Sequence, residues 1–325
     1  MTQTSFLNGI LASFSIKATC IDFAEHNNSD TYDIKLSGNG RIRDLEKYLS
    51  EISLALKATV ANLHILADRG ILRLEIPKPE RREPIDLFSL GRLPELTDDM
   101  RCLVGATEDD QPFYIAIGGA PHLLIGGTSG SGKSVLLHNL IANLIGRTEL
   151  YLFDPKHIEF APYEGISSVS IAYEYEECLD TLLNLYDEMN TRYMLMREGV
   201  IFHPSVIIID EFSDLILQDE SKGFHRLLCQ LAQKGRACQY HIILSSQRPD
   251  AKTIDGAIKA NFPIRIACRT ISGTDSRVIL DQVGAEDLLG RGDTLIKTEK
   301  GLTRFQSAYT TPSKVKDYIA RQYNL

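Results

Sequence analysis

Gly127-Thr-Ser-Gly-Ser-Gly-Lys-Ser134 is a complete GxxxxGK[ST] loop. An apolar run, His122-Leu-Leu-Ile125, leads into it, and a helix-like stretch from Val135 to Ile145 leads out. This context predicts a strand, a tight glycine turn and a helix whose positive N-terminal end faces the turn. Backbone N–H groups of Gly127, Thr128, Ser129, Gly130, Ser131 and Gly132 then cradle phosphates. In such a loop Lys133 reaches the β- and γ-phosphates and the Ser134 hydroxyl holds Mg2+. The reading is of a nucleoside-triphosphate site, with ATP and Mg2+ as its expected cofactors.

At 325 residues the chain has room for one large α/β domain and a smaller one. Hydrophobic residues make up 43% and charged residues 24%, the profile of an ordinary globular protein. No apolar run approaches the roughly 20 residues of a membrane span, and Phe6 to Ile16 lacks the basic start and cleavage site of a secretory signal. The six cysteines are scattered without a CxxC pair, which predicts reduced core thiols in a cytoplasmic protein. A net charge of −8 argues against a protein that coats nucleic acid with one basic face. It leaves room for one that grips a duplex with a few channel loops, since local potential decides that.

Residues 1–100 read as a small α+β domain. Phe14, Ile16, Ala18 and Cys20 alternate with polar residues, as do Tyr32, Ile34 and Leu36, the period of a half-buried strand. His26-Asn-Asn-Ser-Asp30 supplies a turn between them. Leu45, Leu49, Ile52 and Leu56 follow helical spacing, and Leu72, Leu74 and Ile76 mark a third strand ended by Pro77. The polar, proline-bearing run Lys78 to Pro84 reads as a connector. This domain carries no catalytic constellation and reads as a docking or assembly module.

From about residue 101 to 312 strands and helices alternate. Leu150–Phe153, Val206–Ile209, His241–Leu244 and Arg265–Cys268 are short, nearly all-apolar runs, as expected of strands buried on both faces of a parallel sheet. The fold class is α/β, a doubly wound core that places ligands at the carboxyl ends of its strands. Residues 313–325 form a short tail with helical character.

Val206-Ile-Ile-Ile-Asp210-Glu211 is an apolar strand ending in two carboxylates, about 75 residues beyond the phosphate loop. Asp210 can order the waters around Mg2+ while Glu211 polarises an attacking water. Another buried strand, His241-Ile-Ile-Leu-Ser-Ser-Gln247, ends in an amide that can report on the γ-phosphate. Asp154-Pro-Lys156 closes a further strand, and its charges either face the nucleotide or form an exposed ion pair.

These segments resemble the motor domain of the FtsK/SpoIIIE DNA translocases, within the HerA/FtsK superfamily of P-loop ATPases. The resemblance rests on Pro121-His-Leu-Leu before the phosphate loop, Asp154-Pro-Lys156, Ile209-Asp-Glu-Phe-Ser-Asp-Leu215 and Leu231-Ala-Gln-Lys-Gly-Arg236. It continues through Ser246-Gln-Arg-Pro249, Ile258-Lys-Ala-Asn-Phe-Pro263, Asp275-Ser-Arg277-Val-Ile-Leu-Asp-Gln282 and Gly284 to Asp293. The first hundred residues are similar to the family's small α-domain only in element order.

The resemblance implies a RecA-like core and a homohexameric ring that threads double-stranded DNA and pulls it with ATP. It makes Arg236 the trans-acting arginine, entering a neighbouring subunit's site to stabilise charge on the γ-phosphate. The family's second trans-acting cation, a lysine, falls here on Gly273, so that either one cation suffices, or Arg269 or Arg277 compensates, or coupling between subunits is weaker. Arg248 and Lys252, in the loop after the amide-ended strand, face the channel and contact DNA phosphates in such a ring. The absence of a membrane region, a long linker and a winged-helix reader points to a stand-alone motor of a mobile element, conjugation or phage-defence system. A membrane or accessory partner stays possible. Two other readings are kept: a pump for secreted protein, and a weakly hydrolysing ATP-dependent assembly module.

Overall fold

Runs in which every residue is apolar demand cover on both faces, and the computed structural model of the chain provides it. The model describes all residues except 1, 27–28, 59–60, 67–68, 79–83, 96, 98, 108, 121 and 324–325. Most of the expected connector at 78–84, the centre of the expected turn at 26–30 and Pro121 therefore lie outside the described residues. The chain forms two compact units, Met1–Pro84 with Glu108–Gln111, and Ile85–Thr107 with Pro112–Leu325. The larger unit thus takes in residues 85–100, because Leu87, Leu93 and Met100 bury in its core.

The smaller unit is a four-stranded antiparallel sheet of β1 (Ala18–Glu25), β2 (Ser29–Leu36), β3 (Asn62–Leu66) and β4 (Ile71–Pro77), in the order β1-β2-β4-β3. Helices α1 (Gln3–Ser13), α2 (Ile42–Lys47) and α3 (Leu49–Ala55) complete it, and Leu7, Leu11, Ile34, Leu45, Ile52 and Leu74 form its core. The expected first strand starts later than the alternation suggests. Phe14 is the C-cap of α1, Ser15 turns the chain at φ 56°, and the ladder begins at Ala18. The expected helix over 45–56 breaks at Tyr48, which closes one short helix and opens the next.

The larger unit has a RecA-like P-loop core. Six strands run parallel: β7 (His122–Gly126), β8 (Glu149–Phe153), β9 (Val169–Ala172), β10 (Ser205–Ile209), β11 (Tyr240–Ser246) and β12 (Ile264–Cys268). Strands β5 (Arg101–Ala106), β6 (Pro112–Ala116), β13 (Asp293–Thr298) and β14 (Gly301–Ser307) extend one edge antiparallel, an extension that the apolar runs do not announce. The full order is β6-β5-β14-β13-β12-β7-β11-β10-β8-β9. Alternate residues feed separate cores. Leu123, Ile125, Val206, Ile208 and Ile243 bury on one face with α4 (Lys133–Leu144) and α10 (Pro312–Tyr323). Leu124, Ile207, Ile209, Ile242 and Leu244 bury on the other with α5 (Tyr175–Met196), α6 (Phe212–Gln218), α7 (Gly223–Lys234) and α8 (Gly256–Asn261). The expected tail is α10 itself, held by Val315 and Ile319 in the core and by Tyr318 stacked on Phe88.

Two buried amides tie α4 to the sheet. Asn143 accepts from Leu103 N and donates to Leu103 O, both at 2.9 Å, while Asn139 donates to Val104 O and Ala308 O. The helix that opens at Lys133 is thereby locked in position. At the other end of β7, His122 accepts from Ile242 N at 3.1 Å through Nδ1 and donates to Ala232 O at 2.8 Å through Nε2. A protonated ring must donate from both nitrogens, and the Ile242 N–H cannot accept.

Burial, opposed by the Ala232 contact, pushes His122 down from its ordinary 6.5 to about 4. The unfolded chain therefore binds the proton first as pH falls, so acidification from about 6.5 to about 4 lowers stability, by up to about 3 kcal/mol from this group. Urea midpoints measured across that range should fall in the wild-type protein and fall less steeply in His122→Gln. Equal slopes would exclude His122 as the acid-sensitive group.

Candidate functional site

The phosphate loop leaves β7 at the carboxyl edge of the parallel strands. Gly127, Gly130 and Gly132 have φ of 157°, 74° and 108°, conformations that favour glycine. At Gly132 space forbids a side chain as well, since a Cβ would lie 2.3 Å from Gly292 N. At Gly127 it would meet Cys268 Cβ at 2.7 Å. The rest of the loop is pinned from outside. Thr128 donates from N and Oγ1 to Arg269 O, Ser131 Oγ donates to Thr128 O, and Gly292 N donates to Ser131 O. Ser129 and Gly130 are exposed at the tip.

Lys133 opens α4 and is 3% exposed. Its Nζ lies 2.5 Å from Asp210 Oδ1 and donates to Ser245 Oγ at 2.7 Å, while Ser245 Oγ donates to the same Asp210 oxygen at 2.7 Å. The start of α4 and the ends of two neighbouring parallel strands, β10 and β11, thus meet in one buried triangle. Glu211 follows β10 in the left-handed region at φ 49°, a strained place for a non-glycine residue. It is 2% exposed and accepts from Gln247 N at 3.2 Å with both oxygens and from Ser246 Oγ at 3.3 Å.

The segment after β8 joins the site in a way the sequence left open. Asp154 does not sit in an exposed ion pair. It is fully buried, and its Oδ2 accepts from Glu159 N at 2.9 Å and Phe160 N at 3.0 Å. Lys156 instead reaches Glu211, with Nζ 3.3 Å from Oε2, and Asp214 at 3.5 Å. Burial pulls this ammonium down, but the Glu211 and Asp214 carboxylates outweigh it and hold the pKa above the ordinary lysine value. Glu159, which sequence reasoning missed, accepts from Ser134 Oγ at 2.8 Å and lies 3.5 Å from His138 Nε2. The His138 contact, then Ser134 against the opposing effect of burial, keeps its pKa below the usual carboxylate range. His138 contacts Tyr163 Oη at 3.0 Å through Nδ1. No motif marks Glu159; its only signal is an acidic residue five positions after Asp154. Ser245 was likewise passed over as part of an apolar strand.

Not every expected site residue comes to this cluster. Gln247 engages Glu211 through its backbone N–H. Arg248 and Lys252 are exposed beyond the carboxyl end of β11, with Asp250 between them accepting from Lys252 N. Arg236 is exposed in the turn before β11, at the amino end of the strand and near His122. A strand length, about 20 Å, separates it from the phosphate loop of its own chain. At Gly273 a Cβ would meet Glu286 Oε1 at 2.6 Å, so a lysine there requires Glu286 to move.

The donor set suits a hard divalent cation beside phosphate. Ser134 and Asp210 offer oxygen, and buried Asp154 Oδ1 has no hydrogen-bond partner. Among the described residues no cluster of three His, Cys, Asp or Glu side chains forms a metal site of its own. A cation held by one hydroxyl, one carboxylate and phosphates needs none.

Residues 94–202 match the FtsK/SpoIIIE family. The chain is 33% identical to DNA translocase FtsK 2 of Neisseria meningitidis, over 88% of this chain and 32% of the relative. It spans less than half the length of the curated relatives it matches. In fold it is similar to the pCW3 conjugation coupling protein TcpA, with a TM-score of 0.67 at 22% identity, covering 96% of this chain and 98% of that one. It is also similar to the cytoplasmic domain of the type VII secretion ATPase EccC of Thermomonospora curvata, with a TM-score of 0.61 at 28% identity, over 76% of this chain and 33% of that one. Among the described residues no helix is long and apolar enough to cross a membrane.

Replacing Ser245 by Ala removes a buried hydroxyl that bonds a cation and an anion at once. The expected loss is about 2 kcal/mol of folding stability, read from the urea midpoint at unchanged m. An unchanged midpoint would show that the triangle contributes nothing to the fold.

Proposed function

We propose, from the match of residues 94–202 to the FtsK/SpoIIIE family, that the chain is the motor of an ATP-driven double-stranded DNA translocase working as a ring of identical copies. The observation that carries the reading is the grouping of Lys133, Asp210 and Glu211 at the carboxyl edge of the parallel strands, beside the phosphate loop. Phosphoryl transfer needs little covalent chemistry from a protein. It needs the phosphates held, their charge neutralised and a water oriented.

In this reading the loop from Gly127 to Ser134 binds the phosphates of ATP, and Lys133 leaves Asp210 for the β- and γ-phosphates. Ser134 and Asp210 hold Mg2+, which when bound neutralises phosphate charge. Glu211 is the base that orients water, held buried by the Gln247 N–H and the Ser246 hydroxyl until it acts. Gln247 reports the γ-phosphate. Arg236 stands too far from its own loop to act there, so it serves a neighbouring copy, which makes the site a shared one in a hexamer. Arg248 and Lys252 grip the duplex backbone without reading bases. Six buried, free cysteines fit work in the reducing cytoplasm.

Duplex DNA should accelerate ATP hydrolysis at low salt, with the effect lost as salt rises. Lys133→Ala should abolish turnover, and Glu211→Gln should bind ATP while hydrolysing it at least about a hundredfold more slowly. Turnover indifferent to duplex at low salt, with rings present by mass measurement, would overturn the DNA reading.

The 28% identity to a secretion ATPase over 76% of this chain favours one second reading, a pump for polypeptide. Crosslinks from the Arg248 loop discriminate: duplex adducts support the first reading, peptide adducts the second.

A further inference from the structure

A hydroxyl that binds a cation has a geometric problem. Its oxygen turns a lone pair to the metal, so its single O–H must point away and find an acceptor. Left unpaired in a half-buried pocket, that proton costs desolvation and weakens the ligand. Ser134 is half-buried at the first turn of α4. The nearby carboxylate Asp210 already accepts with Oδ1 from both Lys133 Nζ and Ser245 Oγ. The acceptor that Ser134 uses is Glu159, at 2.8 Å.

Glu159 is itself held from three sides. Its backbone N–H donates to Oδ2 of fully buried Asp154, the next residue, Phe160, is anchored by the same oxygen and buried in the core, and its second carboxylate oxygen faces His138 Nε2 at 3.5 Å. His138 lies one turn along α4 from Ser134 and is held by Tyr163. A residue in the segment after β8 is thus fixed against the helix that starts at the phosphate loop.

We propose that Glu159 is a positioning residue of the nucleotide site: it takes the Ser134 proton and so aims the Ser134 oxygen at the divalent cation bound with nucleotide. Asp154 acts one step behind it by fixing the Glu159 backbone. The proposal rests on the nucleotide-binding reading above. It assigns a role to a carboxylate that reaches the phosphate loop through the Ser134 hydroxyl.

The test is equilibrium binding of a fluorescent ATP analogue, titrated with Mg2+ and repeated in EDTA, on the full chain. Binding by the wild-type protein checks the nucleotide reading by itself; no binding at all would sink that reading and this one with it. Given binding, Glu159→Ala should raise the Mg2+ concentration needed for half-maximal tightening about tenfold and leave the affinity in EDTA unchanged. In a Ser134→Ala background the same substitution should change neither, because the proton it accepts is gone. Glu159→Gln keeps a carbonyl acceptor and should recover most of the loss, which also guards against an Ala variant that folds poorly. Equal losses with and without Mg2+, a full effect in the Ser134→Ala background, or a Gln variant as impaired as Ala would each overturn the proposal.

Discussion

A lysine ammonium stays dry only when anionic and dipolar partners replace its water, and the burial of Lys133 against Asp210 and Ser245 is the constraint on which the site depends. The charge comes from the first residue of α4 and its partners from the ends of two neighbouring strands. Breaking the triangle leaves an uncompensated charge inside the protein. Satisfying it fixes the loop, β10 and β11 against each other to within a hydrogen bond. The buried amides of Asn139 and Asn143 then hold the helix along its length, so the phosphate loop cannot drift on its strand.

The segment after β8 is the second organising element. Fully buried Asp154 spends one carboxylate oxygen on its own turn, and two charged side chains leave that turn in different directions. Lys156 goes to Glu211, and Glu159 goes to Ser134. One short stretch therefore touches both the hydroxyl of the phosphate loop and the carboxylate after β10. Glu211 sits in a strained backbone conformation, which such contacts from several sides can maintain.

Different parts of this structure were legible to different degrees, for physical reasons. The central parallel strands wrote themselves into the chain because both faces are covered and nearly every residue must be apolar. The antiparallel edge did not, because β6 and the start of β14 are only partly covered and carry mixed residues such as Gly301-Leu302-Thr303. Strand β3 was invisible for the same reason: Asn62-Leu-His-Ile-Leu66 is an edge strand and nowhere fully buried. The alternation from Phe14 misled because a helix C-cap and a strand start share one apolar period. Glu159 had no motif at all, and the Asp154-Pro-Lys156 segment left the partner of Lys156 open. A charged residue in a loop reads as solvated until the fold supplies a partner.

The sequence by itself determined the phosphate loop, the α/β class and the two carboxylates after a buried strand. These are local: glycine conformations, strand burial and the order of elements are all written within a few neighbouring residues. Only the tertiary structure decided that Ser245 completes the Lys133–Asp210 contact, that Lys156 holds Glu211 and that Glu159 receives the Ser134 hydroxyl. Those partners lie between 25 and 112 residues apart along the chain. Hydrogen-bond geometry across such separations depends on how strands are ordered in the sheet, which no stretch of local sequence specifies.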